Sequence, residues 1–176
     1  MPVMTETAVI LEPVTRENAS ILDNLFELYV YDFSEQMPIQ IKATGRFELT
    51  PGEAWWTQND HFGYLIEVRG ALAGFALART GSRVTPASDV MDVAEFFVLR
   101  GLRGKGIGRR AAHALFATFP RAWEVRVRRS NVAALGFWTR AAEAWMGQPV
   151  TSRPFSVEGV DWDVLSFANS QPASGA

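Results

Sequence analysis

The sequence has no cysteine and only two histidines, His61 and His113. Thiol catalysis, zinc-finger spacing and iron–sulfur ligation are thereby excluded, and little is left for a transition-metal site, so no metal is expected. There is also no run of about 18 apolar residues, the length that a membrane-spanning helix needs. Nor does the opening stretch, MPVMTETAVILEPV, show the basic segment followed by an apolar one that marks a signal peptide. No membrane partner is expected, and the cytoplasm is the expected compartment. What the chain has in quantity is apolar bulk: 48% of its 176 residues are apolar, with 12 Phe and 6 Trp. A chain of this length buries roughly 70% of its unfolded surface, enough for one core without a covalent or metal staple. One domain over residues 1–168 is expected, followed by a small, polar, frayed tail over 169–176.

The net charge of −2 hides a segregation. Residues 1–60 carry ten acids, among them Asp32 and Glu35, against the three bases Arg16, Lys42 and Arg46. Residues 100–129 carry nine bases, from Arg100 to Arg129, against the single acid Glu124. The first block suits a cationic ligand and the second an anion, although both also suit solvated faces of an ordinary soluble protein. The bases from Arg121 to Arg129 lack interleaved exposed aromatics in a chain that is acidic overall, so nucleic acid is not an expected partner.

Hydrophobic periodicity orders the elements. Ala8 to Pro13 reads as a short strand, and Thr15 is placed to cap a helix in which Ile21, Leu22, Leu25, Phe26 and Tyr29 share one face. Residues 39–60 give mixed signals around Pro51-Gly52 and Trp55-Trp56 and read as loop with short helices. Phe62 to Arg69 and Leu72 to Arg79 read as a hairpin about Gly70, with a bulge at Gly74. Val90 to Leu99 is the strongest strand signal, and Ile107 to Phe119 is a helix stopped by Pro120. Trp123 to Arg128 alternates Trp123, Val125 and Val127 with Glu124, Arg126 and Arg128, which predicts a strand with one wet face. A helix over about 131–145 and a hairpin about Glu158-Gly159 complete a chain that mixes α and β without a regular βαβ repeat. Exposed strands of that last hairpin could pair between copies and make a homodimer.

Residues 100–110 read Arg-Gly-Leu-Arg-Gly-Lys-Gly-Ile-Gly-Arg-Arg between the strongest strand and a helix. Where glycines hand a strand over to a helix, free backbone N–H groups converge at the positive helix end and no Cβ keeps a phosphate away. The spacing is not that of a nucleotide P-loop, because Gly106 and no hydroxyl follows Lys105, nor that of the dinucleotide fingerprint G-x-G-x-x-G.

The segment Arg103-Gly104-Lys105-Gly106-Ile107-Gly108 resembles the R-x-x-G-x-G pyrophosphate loop of the GNAT acetyltransferase superfamily. Glu95-Phe96-Phe97-Val98-Leu99 is similar to that family's fourth strand, whose edge the pantetheine arm pairs with, and Asn131, Ala134, Phe137 and Trp138 resemble its motif on the helix after the fifth strand. The combined pattern resembles a bacterial branch of the family. The resemblance implies a mixed, mostly antiparallel central sheet of about seven strands flanked by helices, an α+β architecture. It implies acetyl-CoA as donor, held by Phe97, Val98, the backbone from Arg103 to Arg109, Asn131, Ala134, Phe137 and Trp138. It also implies a small-molecule or peptide amine as acceptor, near Tyr31, Asp32 and Glu35 after the first helix. One departure is plain: Trp138 stands where the family usually has a tyrosine that protonates the departing thiolate, and Trp has no proton to give. Water, Tyr29, Tyr31 or Tyr64 are candidates to replace it.

Glu95 sits among Val93, Ala94, Phe96 and Phe97, where a charge is costly unless partnered or used. Burial raises a carboxyl pKa toward the range of a general base, and the resemblance places in that region a Glu that takes the amine proton. The same residue also fits a structural ion pair with a nearby arginine. Trp55, Trp56 and Tyr64 suit the core better than a pocket, Asn131 suits a helix cap as well as a ligand, and the two histidines suit surface or packing roles. Two functions stay open at this point: acetyl transfer to an amine, and a non-catalytic acyl-CoA-binding module that lost its acid at Trp138.

Overall fold

The computed structural model describes residues 8–168, so the expected tail over 169–176 lies outside the described residues. Seven strands make one sheet in the order β1-β2-β3-β4-β5-β7-β6. In chain order the elements are β1 (Val9–Pro13), α1 (Ala19–Phe33), α2 (Ala54–Thr57), β2 (His61–Val68), β3 (Ala71–Thr80), β4 (Met91–Val98), α3 (Ile107–Thr118), β5 (Trp123–Arg128), α4 (Val132–Met146), β6 (Ser152–Val157) and β7 (Val160–Phe167). All neighbours run antiparallel except β4 and β5, which are parallel. The expected seven-strand mixed sheet is what the chain builds.

Strand alternation splits the core into two layers, one on each sheet face. Ile66, Ala76, Ala78, Met91, Val93, Trp123 and Val125 turn to α3 and α4, where Ala111, Ala112, Leu115, Phe116, Ala141 and Ala142 meet them. Leu65, Phe75, Leu77 and Phe97 turn the other way, to Leu22 and Leu25 of α1 and Trp55 of α2.

The expected bulge is present: Ile66 pairs with Gly74 but Glu67 with Leu72, so β3 carries Ala73 as an extra residue. Gly74 is required there because a Cβ would fall 1.9 Å from the Phe97 carbonyl oxygen. A second irregularity lies in β4, where Leu77 opposes Glu95 and Ala78 opposes Val93, leaving Ala94 extra. The helix start differs from expectation. Asn18, not Thr15, precedes α1, and its Oδ1 accepts the Thr15 backbone N–H at 2.7 Å. Between residues 39 and 60 only α2 is regular, and the Glu27 carboxylate anchors that stretch by accepting the N–H groups of Phe47 (3.0 Å) and Glu48 (2.9 Å).

The wet face expected for β5 is corrected. Glu124 is 6% exposed and takes the Ser82 hydroxyl at 2.5 Å, while the Arg126 Nε reaches the fully buried Asp92 at 3.2 Å. Alternation assigns the two sides of a strand, but the loop after β3 and the side chains of β4 cover this one. No helix among the described residues is long and apolar enough to cross a membrane.

Candidate active site

The parallel pair is incomplete. β4 and β5 are joined at Met91–Trp123, Asp92–Glu124 and Val93–Val125, and no further pairs follow although both strands continue. The extra residue Ala94 bends β4 at the point of parting. A cleft of about 440 Å³ opens there, within the usual range for small-ligand sites, with Glu95 and Phe96 on one bank and Arg126, Val127 and Arg128 on the other.

Glu95 is half-buried at this opening, and its Oε2 accepts a short hydrogen bond from the Tyr29 hydroxyl of α1. Burial pushes the Glu95 carboxyl above its ordinary value, opposed by the Tyr29 hydrogen bond and by the charges of Arg79 and Arg126. Tyr29 is likewise pushed up, first by burial and then by the Glu95 charge, so it holds its proton firmly. Of the three tyrosines, Tyr29 alone lines the cleft. Tyr31 is 65% exposed, and Tyr64 lies on β2 against the opposite layer.

The glycine turn leads into α3 at the other end of β4. Gly106 precedes the helix with φ +75°, a left-handed conformation that a side chain strains to adopt, and a Cβ there would crowd Arg110 Nη1 at 3.1 Å. Among the described residues no acceptor faces the backbone N–H groups from Gly104 to Arg109. The Arg103 N–H is excepted from the expected set, because it closes a turn on the Arg100 carbonyl at 3.1 Å. Arg110, absent from the sequence-based set, adds a buried Nε without an acceptor among the described residues. Free N–H groups at a helix N-terminus, beside such a guanidinium, fit a phosphate-bearing ligand.

The remaining donor-side residues converge from three elements. A Cβ on Gly108 would touch Phe137 at 3.1 Å and Val98 Cγ2 at 3.8 Å, so the start of α3, the middle of α4 and the end of β4 meet at one point. Ile107 is 5% exposed and Phe97 4% exposed; both side chains belong to the core, and only their backbone is available to a ligand. The Asn131 Oδ1 caps α4 by accepting the Ala134 N–H at 3.1 Å, and both residues line the cleft. Trp138 lines it too, buried against Phe96 with ring centroids 5.0 Å apart. Lys105 turns back on the Gly101 carbonyl at 2.8 Å, and Arg109 is exposed.

The acidic block does not gather into a pocket. Asp32 accepts Arg100 Nε at 2.8 Å and a shorter bond from Arg103 Nη2, while Arg103 Nε donates to the Val98 carbonyl at 2.7 Å. Glu35 lies 3.6 Å from Arg100, and 76% of its side chain is exposed. These contacts tie the end of α1 to the turn after β4, and neither acid nor Tyr31 lines the cleft. His113 packs in the helix layer with its Nε2 2.9 Å from the Ala141 carbonyl, and His61 pairs with Asp60 at 2.8 Å. No group of three or more metal-ligating side chains exists among the described residues.

Glu95 thus stands where two parallel strands part, and a helix terminus with unpartnered backbone N–H groups follows the end of β4. The sequence profile of the acetyltransferase (GNAT) family matches residues 22–142, and the chain belongs to that family. Its fold is similar to that of an acetyltransferase from Thermus thermophilus, with a TM-score of 0.66 and 17% identity over 92% of this chain and 97% of that one. It also resembles an aminoglycoside acetyltransferase in complex with coenzyme A (TM-score 0.67, 13% identity, 92% and 95% covered). A third likeness is to a probable GNAT acetyltransferase from Chromobacterium violaceum (TM-score 0.64, 16% identity, 94% and 85% covered). No curated protein matches the sequence.

Proposed function

We propose that the protein moves an acetyl group from acetyl-CoA to the primary amine of a small-molecule or peptide acceptor by direct attack. The observation that carries this reading is the parting of β4 from β5 beyond Val93, with Glu95 standing in the gap. The backbone N–H groups from Gly104 to Arg109, with Arg110, hold the donor's phosphates. Phe97 and Val98 offer the edge of β4 to its pantetheine arm, with Asn131, Ala134, Phe137 and Trp138 on the far side. Asp32 and Glu35 serve this donor end by holding Arg100 and Arg103 in place.

Glu95 takes a proton from the acceptor's ammonium, and its raised pKa makes it a stronger base than an ordinary carboxylate. The amine nitrogen then forms a bond to the thioester carbonyl carbon, the carbon–sulfur bond breaks with sulfur leaving with the electron pair, and the nitrogen releases its surplus proton to solvent to leave the neutral amide. A thiol near pKa about 8.5 gives a tolerable thiolate, which takes its proton from solvent, so the absence of a tyrosine at Trp138 costs less than loss of the base would. Tyr29, which holds its proton firmly, is the positioning residue for Glu95. Trp138 is also the observation that favours the second reading, a non-catalytic acyl-CoA-binding module.

Calorimetric titration with acetyl-CoA, repeated on Gly106→Asp, tests the donor site. Micromolar binding to the native chain, weakened at least tenfold by an added carboxylate in the phosphate turn, is expected; no binding to the native chain overturns the proposal. Tight binding without acetyl transfer to any amine supports the second reading.

A further inference from the structure

The acceptor bank of the cleft is basic, which the linear charge pattern does not reveal. Arg79, Arg126 and Arg128 line it, and among the described residues Glu95 is the one carboxylate that does. Two of the arginines are spoken for: buried Asp92 takes Arg79 Nε at 2.9 Å on one oxygen and Arg126 Nε at 3.2 Å on the other. The side chain of Arg128, two residues further along the same face of β5, has no hydrogen bond or ion pair among the described residues. Its guanidinium carbon rests 5.4 Å from the ring centre of Trp162, its cross-strand partner, and Arg126 lies over the same ring at 5.4 Å. The Trp162 indole N–H also lacks an acceptor among the described residues. The Arg128 charge reaches the Tyr29 hydroxyl that serves Glu95, where it opposes the rise in the phenol pKa. A planar guanidinium held over an indole ring presents its N–H fork to a carboxylate without losing much freedom on binding.

Building on the acetyl-transfer reading, we propose that the acceptor is a small amine that also bears a carboxylate, with Arg128 receiving the carboxylate while Glu95 faces the amine. A polyamine or an amino sugar with several ammonium groups meets on this wall a free guanidinium and a single carboxylate already engaged by Tyr29. An amino acid-like acceptor instead has its two charges matched at the two ends. Arg128 acts as a specificity-determining residue in this scheme, and Glu95 keeps its role in the chemistry.

The experiment is a thiol-release assay on the full chain with acetyl-CoA and three sets of acceptors: the individual L-amino acids, their carboxamides, and spermidine. At least one free acid is expected to be turned over with kcat/KM tenfold or more above its carboxamide and above spermidine. In Arg128→Gln that preference collapses by at least tenfold, chiefly through KM for the acid, while Arg128→Lys retains part of it. Calorimetric binding of acetyl-CoA by each variant reports that it is folded. Equal turnover of acids and carboxamides, a preference for spermidine, or an unchanged preference in Arg128→Gln overturns this proposal and leaves acetyl transfer standing. Binding of acetyl-CoA with no turnover of any member of the three sets overturns this proposal, while the acetyl-transfer reading is overturned separately, by a failure of the native chain to bind acetyl-CoA.

Discussion

On the side of the sheet that faces α3 and α4, Met91, Trp123 and Phe116 are fully buried among apolar neighbours. Across the same strands, one residue along, the other face carries Asp92, Glu95 and Arg126, with Arg79 opposite on β3. Period-two alternation, reset in β4 by the extra residue Ala94, produces this contrast. The first face contributes hydrophobic burial and dispersion, which need no directional partner. The second is stable only while every charge keeps its partner, because a buried ion left alone costs far more than a lost contact. On our reading the chemistry stands on the second face, where burial raises the Glu95 pKa and the charges of Arg79 and Arg126 oppose that rise.

Four changes probe this contrast, taken from the largest expected effect downward. Glu95→Gln is expected to lower kcat by roughly 10²–10⁴-fold, the usual contribution of a positioned base, while acetyl-CoA affinity measured by calorimetry stays the same. Its pH dependence sharpens the point. Unfolded, Glu95 titrates at its ordinary value; folded, it holds its proton to higher pH because it is buried. Between those two values the folded state binds more protons, so stability falls as pH rises, and Glu95→Gln is expected to remove that fall from denaturation curves. In the native chain turnover rises through the raised pKa, and that limb of the profile disappears in the variant. An unchanged kcat removes Glu95 from the mechanism.

Asp92→Ala comes next. It leaves the guanidiniums of Arg79 and Arg126 facing each other without their shared carboxylate, and the expected loss is about 3–5 kcal/mol of unfolding free energy in urea titrations. Phe116→Ala on the opposite face is expected to cost a similar amount through a cavity. The two differ in their dependence on salt, which the Asp92 variant alone is expected to shift. A loss for Asp92→Ala under about 1 kcal/mol shows that its partners find water instead. Asn131→Ala is the smallest, about 1 kcal/mol for a lost cap on α4, read from the same titrations.

Much of the fold is legible in the sequence where one pattern dominates. The apolar run before the glycine turn, the helix after it and the alternation from Trp123 to Arg128 each give the right element within a residue or two. The site is legible in part. The turn and Glu95 stand out because glycines and a carboxylate are costly in those settings. What escaped depends on contacts between distant segments. Glu27 anchors Phe47 and Glu48 through backbone N–H groups, which leaves no trace in residue types. Ten acids close in sequence suggest a cationic ligand, yet Asp32 commits both oxygens to arginines from the basic block, so the two blocks partly cancel in space. Arg128 and Trp162 meet only through the pairing of β5 with β7, and their side of β5 reads as solvent until the strand partners are known.

The parting of β4 and β5 has a further consequence for the energetics of recognition. Beyond Val93 the two strands share no ladder, so a molecule entering between them has no backbone hydrogen bond of that pair to break. The cost of separating the strands was met once, when the chain folded, and was set against burial elsewhere in the sheet. For a ligand the main remaining cost is the water it displaces, and the gap is a preorganised vacancy in the hydrogen-bond pattern that an extended, amide-bearing chain can complete.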